Sequence, residues 1–163
     1  MELYTERLKL IPCSKESLLP YTSKEYKQGP HFEMYLEELE KDKTLLGWGV
    51  WLVIEKRTSK IIGDMGFKGK PDTEGSVEIG YSILSSEQNK GYATESLRSL
   101  TTWAFNTYLV NHITAECLAD NVPSSKVLEK LNMKKVKSNN GMLYWQLDKS
   151  ADCIQNKSAG RPF

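Results

Sequence analysis

Seven consecutive residues, Gln88-Asn89-Lys90-Gly91-Tyr92-Ala93-Thr94, have the types and spacing that best suit chemistry in this chain. They lie where an alternating pattern over residues 76–84 gives way to a helical one. Small residues at Gly91 and Ala93 let the first helical turn bring its backbone close to a ligand, and the N–H groups of that turn have no partner within the helix. The helix dipole adds roughly half a positive charge at the same end. The guest that fits is an anion, a phosphate or pyrophosphate. A turn of this composition is also an ordinary helix start, so the residues around it decide the reading.

The turn needs a strand before it and a helix after it. Val77, Ile79, Tyr81 and Ile83 alternate with Ser76, Glu78, Gly80 and Ser82, which reads as a strand. Ala93, Leu97, Leu100, Ala104 and Tyr108 repeat at helical spacing and predict a helix of about four to five turns. A strand over residues 113–119 follows, and a helix joining two strands in this way makes a βαβ unit with a parallel pair.

Upstream, residues 3–11 read as one strand stopped by Pro12. Ser14 caps a short helix running to about Lys27 and interrupted by Pro20; Gly29-Pro30 separates it from an amphipathic helix over residues 31–42, where Phe32, Tyr35, Leu36 and Leu39 share a face. Residues 48–55 and 60–68 are rich in β-branched and aromatic residues, and the polar loop Lys56-Arg57-Thr58-Ser59 between them makes them adjacent antiparallel strands. Downstream, Asn121-Val122-Pro123-Ser124 opens a last helix with Val127, Leu128 and Leu131 inward, and two closing strands flank the hairpin signal Asn139-Asn140-Gly141. The element order is therefore β-α-α-β-β-β-α-β-α-β-β. Residues 1–149 form a single domain, and residues 150–163 a patternless tail that is mobile or docks on a partner subunit of a homodimer.

Bulk properties narrow the classes. A length of 163 residues suits one core, and 22 lysines and arginines against 21 aspartates and glutamates give a net charge of +1, so no whole-molecule field selects nucleic acid or an anionic membrane. Cys13, Cys117 and Cys153 are odd in number and far apart, which suggests neither a disulfide framework nor a zinc site and makes a reducing cytoplasm the simplest setting. Glu2, Glu6 and Arg7 near the start and the absence of any long apolar run predict neither a targeting segment nor a membrane span. His31 and His112 are isolated and are assigned neither catalysis nor metal binding.

Four ordered matches resemble a family. Thr5-Glu6-Arg7-Leu8-Lys9-Leu10, Glu78-Ile79-Gly80-Tyr81, Gln88-x-x-Gly91-x-Ala93, and Asn121-x-x-Ser124 with Val127-Leu128-Glu129-Lys130 look like the Gcn5-related N-acetyltransferases (GNAT), in the branch of the ribosomal-protein alanine acetyltransferases. The resemblance covers about residues 3–148. It implies an α/β (α+β) fold, a mixed, mostly antiparallel seven-stranded sheet with helices on both faces. It also implies acetyl-CoA as acetyl donor, no metal, and a primary amine as acceptor. By resemblance, Gln88, Asn89, Lys90, Gly91, Tyr92, Ala93 and Thr94 would hold the pyrophosphate, Ile83 and Leu84 would pair with the pantetheine arm, and Asn121 and Ser124 would face the arm and the sulfur. One departure is visible: Asn132-Met133 stands where the family usually has Gly-Phe, and Asn tolerates the left-handed conformation that position needs.

Acetyl transfer to an amine needs an unprotonated nucleophile, help for the carbonyl oxygen as it becomes anionic, and a leaving thiolate. A thiol with a pKa of about 8.5 leaves fairly easily, so an acid such as Ser124 is a modest aid. Deprotonating a lysine at pH 7 costs about 4.6 kcal/mol, and an α-amino group only about 1 kcal/mol, so the base matters most for lysine acceptors. Glu78, on the strand face opposite Val77, Ile79 and Tyr81, is the candidate base, directly or through water. Backbone N–H groups of that strand, freed where it splays from residues 113–119, could serve the oxyanion.

The branch resemblance and the lower cost favour a protein N-terminus as acceptor. A small amine such as an aminoglycoside, polyamine or amino-acid derivative is the alternative, and a non-catalytic acyl-CoA-binding module is a third reading. Each site residue also has a plainer role: Glu78 as a solvated strand residue, Asn121 and Ser124 as helix caps. Glu33, Glu37, Glu38 and Glu40 read as a solvated helix face, Trp48, Trp51 and Phe67 as core or acceptor pocket, and Cys117 as core.

Overall fold

The structure, a computed structural model, describes residues 1–21, 26 and 28–150. The stretch assigned to the tail therefore lies, beyond Ser150, outside the described residues. Twelve elements follow in chain order: β1 (Leu3–Tyr4), β2 (Leu8–Pro12), α1 (Lys15–Leu18), α2 (Pro30–Lys41), β3 (Val50–Glu55), β4 (Lys60–Phe67), β5 (Ser76–Ile83), α3 (Tyr92–Asn106), β6 (His112–Leu118), α4 (Val122–Lys130), β7 (Lys134–Asn139) and β8 (Met142–Asp148). They form a single mixed sheet in the order β1-β2-β3-β4-β5-β6-β8-β7, in which only β5 and β6 run parallel.

The expected class holds, with eight strands in place of seven. Residues 3–11 do not form one strand: the chain turns back at Thr5, whose N–H donates to the Leu8 carbonyl, and β1 pairs antiparallel with β2. The helix capped by Ser14 ends at Leu18 and passes into a 3-10 turn over Leu19–Tyr21, where Pro20 has no N–H to continue the ladder. The Ser14 cap itself is present, as a reciprocal box with Ser17. Helix α3, 15 residues long, has the expected four to five turns but does not reach Tyr108. It ends at Asn106, and Tyr108 lies beyond it with φ +64° and its ring under Lys149.

Two cores sandwich the sheet. Leu97, Leu100 and Ala104 of α3 and Leu128 of α4 pack with Leu8, Leu10, Trp51, Val53, Val77, Ile79 and Ile113 on one face. Phe32, Tyr35 and Leu39 of α2 pack with Ile11, Val50, Leu52, Ile54 and Ile61 on the other. At ~1.5–3 kcal/mol for each fully buried large apolar side chain, these layers fix the strands between them.

Two turn readings hold in detail. Asn140 and Gly141 both have positive φ, the two left-handed residues of a tight hairpin between β7 and β8. Asn132 takes φ +64° after α4, with its own N–H on the Glu129 carbonyl and that of Met133 on the Leu128 carbonyl. That is a complete Schellman cap, and Met133 is buried in the same core as Leu128. The Asn132-Met133 departure leaves the helix end intact.

Candidate active site

The site begins where β5 and β6 part. Their parallel pairing runs through Ser76–His112, Val77–Ile113 and Glu78–Thr114 and then stops. From there β5 continues against β4, and β6 continues against β8. Residues 79–83 thus present one strand edge, with its backbone donors and acceptors, to a wedge between the two halves of the sheet.

At the end of that edge the chain turns into α3. Gly91 is the N-cap of α3 with φ +82°, Asn89 has φ +62°, and no side chain caps the helix. A glycine suits the first of these positions, since φ in this range costs an L side chain free energy. The cleft here, about 550 Å3, is lined by Ile83, Gln88, Asn89, Gly91, Tyr92, Ala93, Thr94, Asn121 and Ser124 of the expected residues. Lys126 and Lys130 on α4 line it as well, adding positive charge that the motif reading missed.

Not every expected side chain is available to a ligand. Gln88 donates from Nε2 to the Ile83 carbonyl at 3.0 Å, tying the turn to the end of β5. The Tyr92 ring is buried, with its hydroxyl on Glu55 Oε1 at 2.9 Å. Lys90 pairs with Glu87 at 2.9 Å. Neither Lys90 nor Leu84 lines the cleft. Asn121 caps α4 by accepting from the Ser124 N–H at 3.2 Å, which realises its plainer role. The Ser124 hydroxyl is separately engaged: it shares a 2.8 Å hydrogen bond with the Tyr81 hydroxyl. Burial pushes the Tyr81 phenol above its ordinary value, and the bond to Ser124 offsets this only in part, so Tyr81 is protonated at neutral pH.

The turn is braced from outside by the first motif. Glu95, in the first turn of α3, accepts from Thr5 Oγ1 at 2.8 Å, the Arg7 N–H at 2.9 Å and Arg7 Nε at 2.7 Å. Arg7 also donates from Nη1 to the Lys90 carbonyl at 2.9 Å and lies 4.4 Å from the centre of the Tyr92 ring. The Thr5-Glu6-Arg7-Leu8 stretch is thus a strut between the β1–β2 hairpin and the turn. Its signal was in the sequence, but its partner Glu95 is 88 residues from Arg7.

A second cleft, about 490 Å3, lies on the α2 side of the sheet and shares Tyr81 and Ser82 with the first. Met34, Tyr35, Leu45 and Val50 give it apolar lining on the α2 side, and Trp48 and Phe67, which border it, are buried in the core on the opposite face, the first of their two readings. Asp64, His31 and Lys68 also line it. Glu78 lines neither cleft; its carboxylate pairs with Lys68 on the same sheet face. Cys13 and Cys117 are free and buried, and burial, with a smaller push from Asp64, raises the Cys13 thiol to about 12.

An Acetyltransferase (GNAT) domain matches residues 9–134. The chain belongs to the GNAT acetyltransferase family. It is 37% identical over 113 residues, 68% of this chain and 67% of the relative, to the uncharacterised N-acetyltransferase YjdG of Bacillus subtilis (strain 168). It is 34% identical over 83 residues, 51% of this chain and 47% of the relative, to the uncharacterised N-acetyltransferase p20 of Bacillus licheniformis. Among solved structures, the fold is similar to a ribosomal-protein-S5-alanine acetyltransferase from Vibrio fischeri, with a TM-score of 0.70 and 18% identity over 93% of this chain and 98% of that one. It is likewise similar to a ribosomal L7/L12 α-N-protein acetyltransferase in complex with coenzyme A, with a TM-score of 0.68 and 17% identity over 91% of this chain and 98% of that one. This GNAT chain is accordingly an acetyl-CoA-dependent acetyltransferase. Among its described residues no group of three or more His, Cys, Asp or Glu is placed to hold a metal, and no helix is long and apolar enough to cross a membrane.

Proposed function

We propose that this GNAT domain moves an acetyl group to a primary amine, with the α-amino group of a protein N-terminus as the favoured acceptor. The observation that carries the reading is the meeting of two clefts at Tyr81 and Ser82, one suited to a phosphate-bearing ligand and the other apolar with a carboxylate. Acetyl-CoA supplies the activated acetyl group as a thioester. The uncapped start of α3, with Lys126 and Lys130 beside it, fits a pyrophosphate through backbone N–H groups and charge. The unpaired edge of residues 79–83 fits an extended amide-bearing arm as an added strand.

The chain's own residues divide the proton work. Tyr81 and Ser124 hold a proton in their shared hydrogen bond, within reach of a group lying along the β5 edge. Glu78 takes the amine proton through water: it is two residues from Gly80 on the same sheet face, ~7 Å along the strand, which a side chain and one water span. To do so it gives up its contact with Lys68. N–H groups of the β5 edge receive the oxyanion. Cys13 and Cys117, free and buried, suit the cytoplasmic setting we propose.

The test is Glu78→Gln, assayed by release of coenzyme A thiol against peptide and small-amine acceptors. The expected result is a fall in kcat of about 100-fold with acetyl-CoA affinity kept. An unchanged kcat removes Glu78 from the reaction, and turnover of small amines alone removes the protein N-terminus.

A further inference from the structure

Lys68 stands between two carboxylates and has one charge to give. Its Nζ lies 2.5 Å from Glu78 Oε1 and 3.9 Å from Glu116 Oε1. The three side chains come from three neighbouring strands: Lys68 directly follows β4, Glu78 is on β5 and Glu116 on β6. The pairing of β5 with β6 stops at Glu78–Thr114, and Glu116 is two residues further along β6. The Lys68 side chain is therefore stretched across the place where the sheet opens. From β4 to β6 is two strand spacings, ~10 Å, which a lysine and a glutamate side chain together span.

The backbone of Lys68 is fixed and its charge is not. The Lys68 N–H donates to the Glu78 carbonyl at 3.0 Å, which holds the residue beside β5. Its side chain is 58% exposed, against 32% for Glu78 and 40% for Glu116. Ion pairs this open to water contribute little, so the ammonium can leave one carboxylate for the other at small cost. Rotation about its stem bonds suffices, since both oxygens already lie within 3.9 Å.

Two carboxylates and one ammonium leave one negative charge over. An amine acceptor at neutral pH arrives mostly as an ammonium, and a single one meets that deficit. While Lys68 rests on Glu78, it occupies the proposed base and repels the arriving cation. With Lys68 on Glu116, Glu78 faces the acceptor alone and the four charges balance.

We propose that Lys68 is a positioning residue that the acceptor displaces: the incoming ammonium takes its place on Glu78, and Glu116 receives it. This rests on the reading of Glu78 as the base. Glu78 then takes a proton from the bound ammonium through water and passes it to solvent, and the pair of Lys68 with Glu116 keeps the second cation away from Glu78 meanwhile. Glu116 acts only through Lys68 and touches no substrate.

The experiment measures acetyl transfer by the full chain to a lysine-free hexapeptide with a free α-amino terminus and to phenethylamine, with acetyl-CoA affinity read by calorimetry. Wild type, Glu116→Gln, Lys68→Met, the double variant and Glu78→Gln are compared. Glu116→Gln should lower the acceptor kcat/KM about fivefold with acetyl-CoA affinity kept, because the Lys68 ammonium then stays on Glu78. Lys68→Met should raise it about twofold to fivefold, since nothing then shields the base. Adding Glu116→Gln to Lys68→Met should change kcat/KM by less than about twofold, because no ammonium needs a second place. A carboxylate that only supported the fold would cost the same factor in both backgrounds. All three side chains are at least 32% exposed, so these substitutions leave the core intact. Equal factors in both backgrounds, or no effect of Glu116→Gln in wild type, overturns the exchange; if Glu78→Gln still lowers kcat, the base reading stands. An unchanged kcat in Glu78→Gln overturns the base reading and the exchange with it, and transfer to neither amine overturns the amine reading as well.

Discussion

The two clefts that meet at Tyr81 and Ser82 are made of different material. The cleft we propose for the cofactor is a stretch of backbone: one turn, one helix start and one strand edge, with Gln88, Tyr92 and Asn121 turning their side chains to hold the protein itself. The second cleft is a set of side chains: Asp64 with Tyr26 and His31, and apolar lining from Met34 and Tyr35 of α2, from Leu45, and from Val50 of β3. The difference teaches where each should be vulnerable. A backbone site tolerates side-chain truncation and fails when something fills it or when its shape is released. A side-chain site fails on conservative changes that alter one charge or one hydrogen bond.

Releasing the shape of the first cleft from outside should give the largest of the indirect effects. Arg7→Ala removes the strut to Glu95 and the Lys90 carbonyl while touching no ligand. Because the Arg7 side chain is 42% exposed, its contribution is about 1 kcal/mol, and acetyl-CoA affinity should fall about fivefold with acceptor KM unchanged. Equal shifts in both constants, read from a two-substrate kinetic matrix, would erase the distinction between the clefts.

The Tyr81–Ser124 pair sits at their meeting point and should respond to pH. Removing both hydroxyls, as Tyr81→Phe with Ser124→Ala, should lower kcat only about threefold to tenfold at pH 7, because the departing thiol has a pKa of about 8.5 and leaves readily. The deficit should shrink as pH rises through that value, where the thiolate no longer needs a proton. A deficit that is flat in pH would mean the pair positions groups and donates no proton.

The smallest effect is on acid stability. Burial works to raise the Glu95 carboxyl, and the hydrogen bonds from Arg7 and Thr5 together outweigh it, so its value in the folded protein lies below the ordinary ~4.3 of glutamate. A depressed folded value contributes stability that is present above about pH 4.3 and lost as pH falls through the folded value. Glu95→Gln should therefore narrow the gap in thermal midpoint between pH 7 and pH 3. A gap as wide as in wild type would show that the strut contributes nothing through its charge.

The unequal legibility of the two clefts follows from the same difference in material. Backbone sites are written locally: the alternation over residues 76–84, the small residues at 91 and 93 and the cap at Asn121 are contiguous signals, and the first cleft could be outlined from them. The second cleft depends on register. Asp64 faces Ser82 because of how β4 pairs with β5, and Tyr26 and His31 reach Asp64 across 38 and 33 residues of chain. His31 in particular looked isolated because its partner is not near in sequence. The split of residues 3–11 into two strands was hidden for a related reason, since the turn at Thr5 is fixed by Glu95 and Leu8 and not by a turn-specific residue. The length of α3 was legible, but Tyr108 was not separable from it, because it keeps the apolar period after the backbone has left the helix.

The most direct test of the division of labour is calorimetry of acetyl-CoA binding to wild type, Gly91→Glu and Asp64→Asn. Gly91→Glu sets a carboxylate on a left-handed residue where the pyrophosphate is expected, and Asp64→Asn alters only the second cleft. The account predicts binding by wild type and Asp64→Asn with equal Kd, and at least a hundredfold weaker binding by folded Gly91→Glu. Wild-type affinity in Gly91→Glu, or loss of affinity in Asp64→Asn alone, would place the cofactor in the wrong cleft and contradict the account.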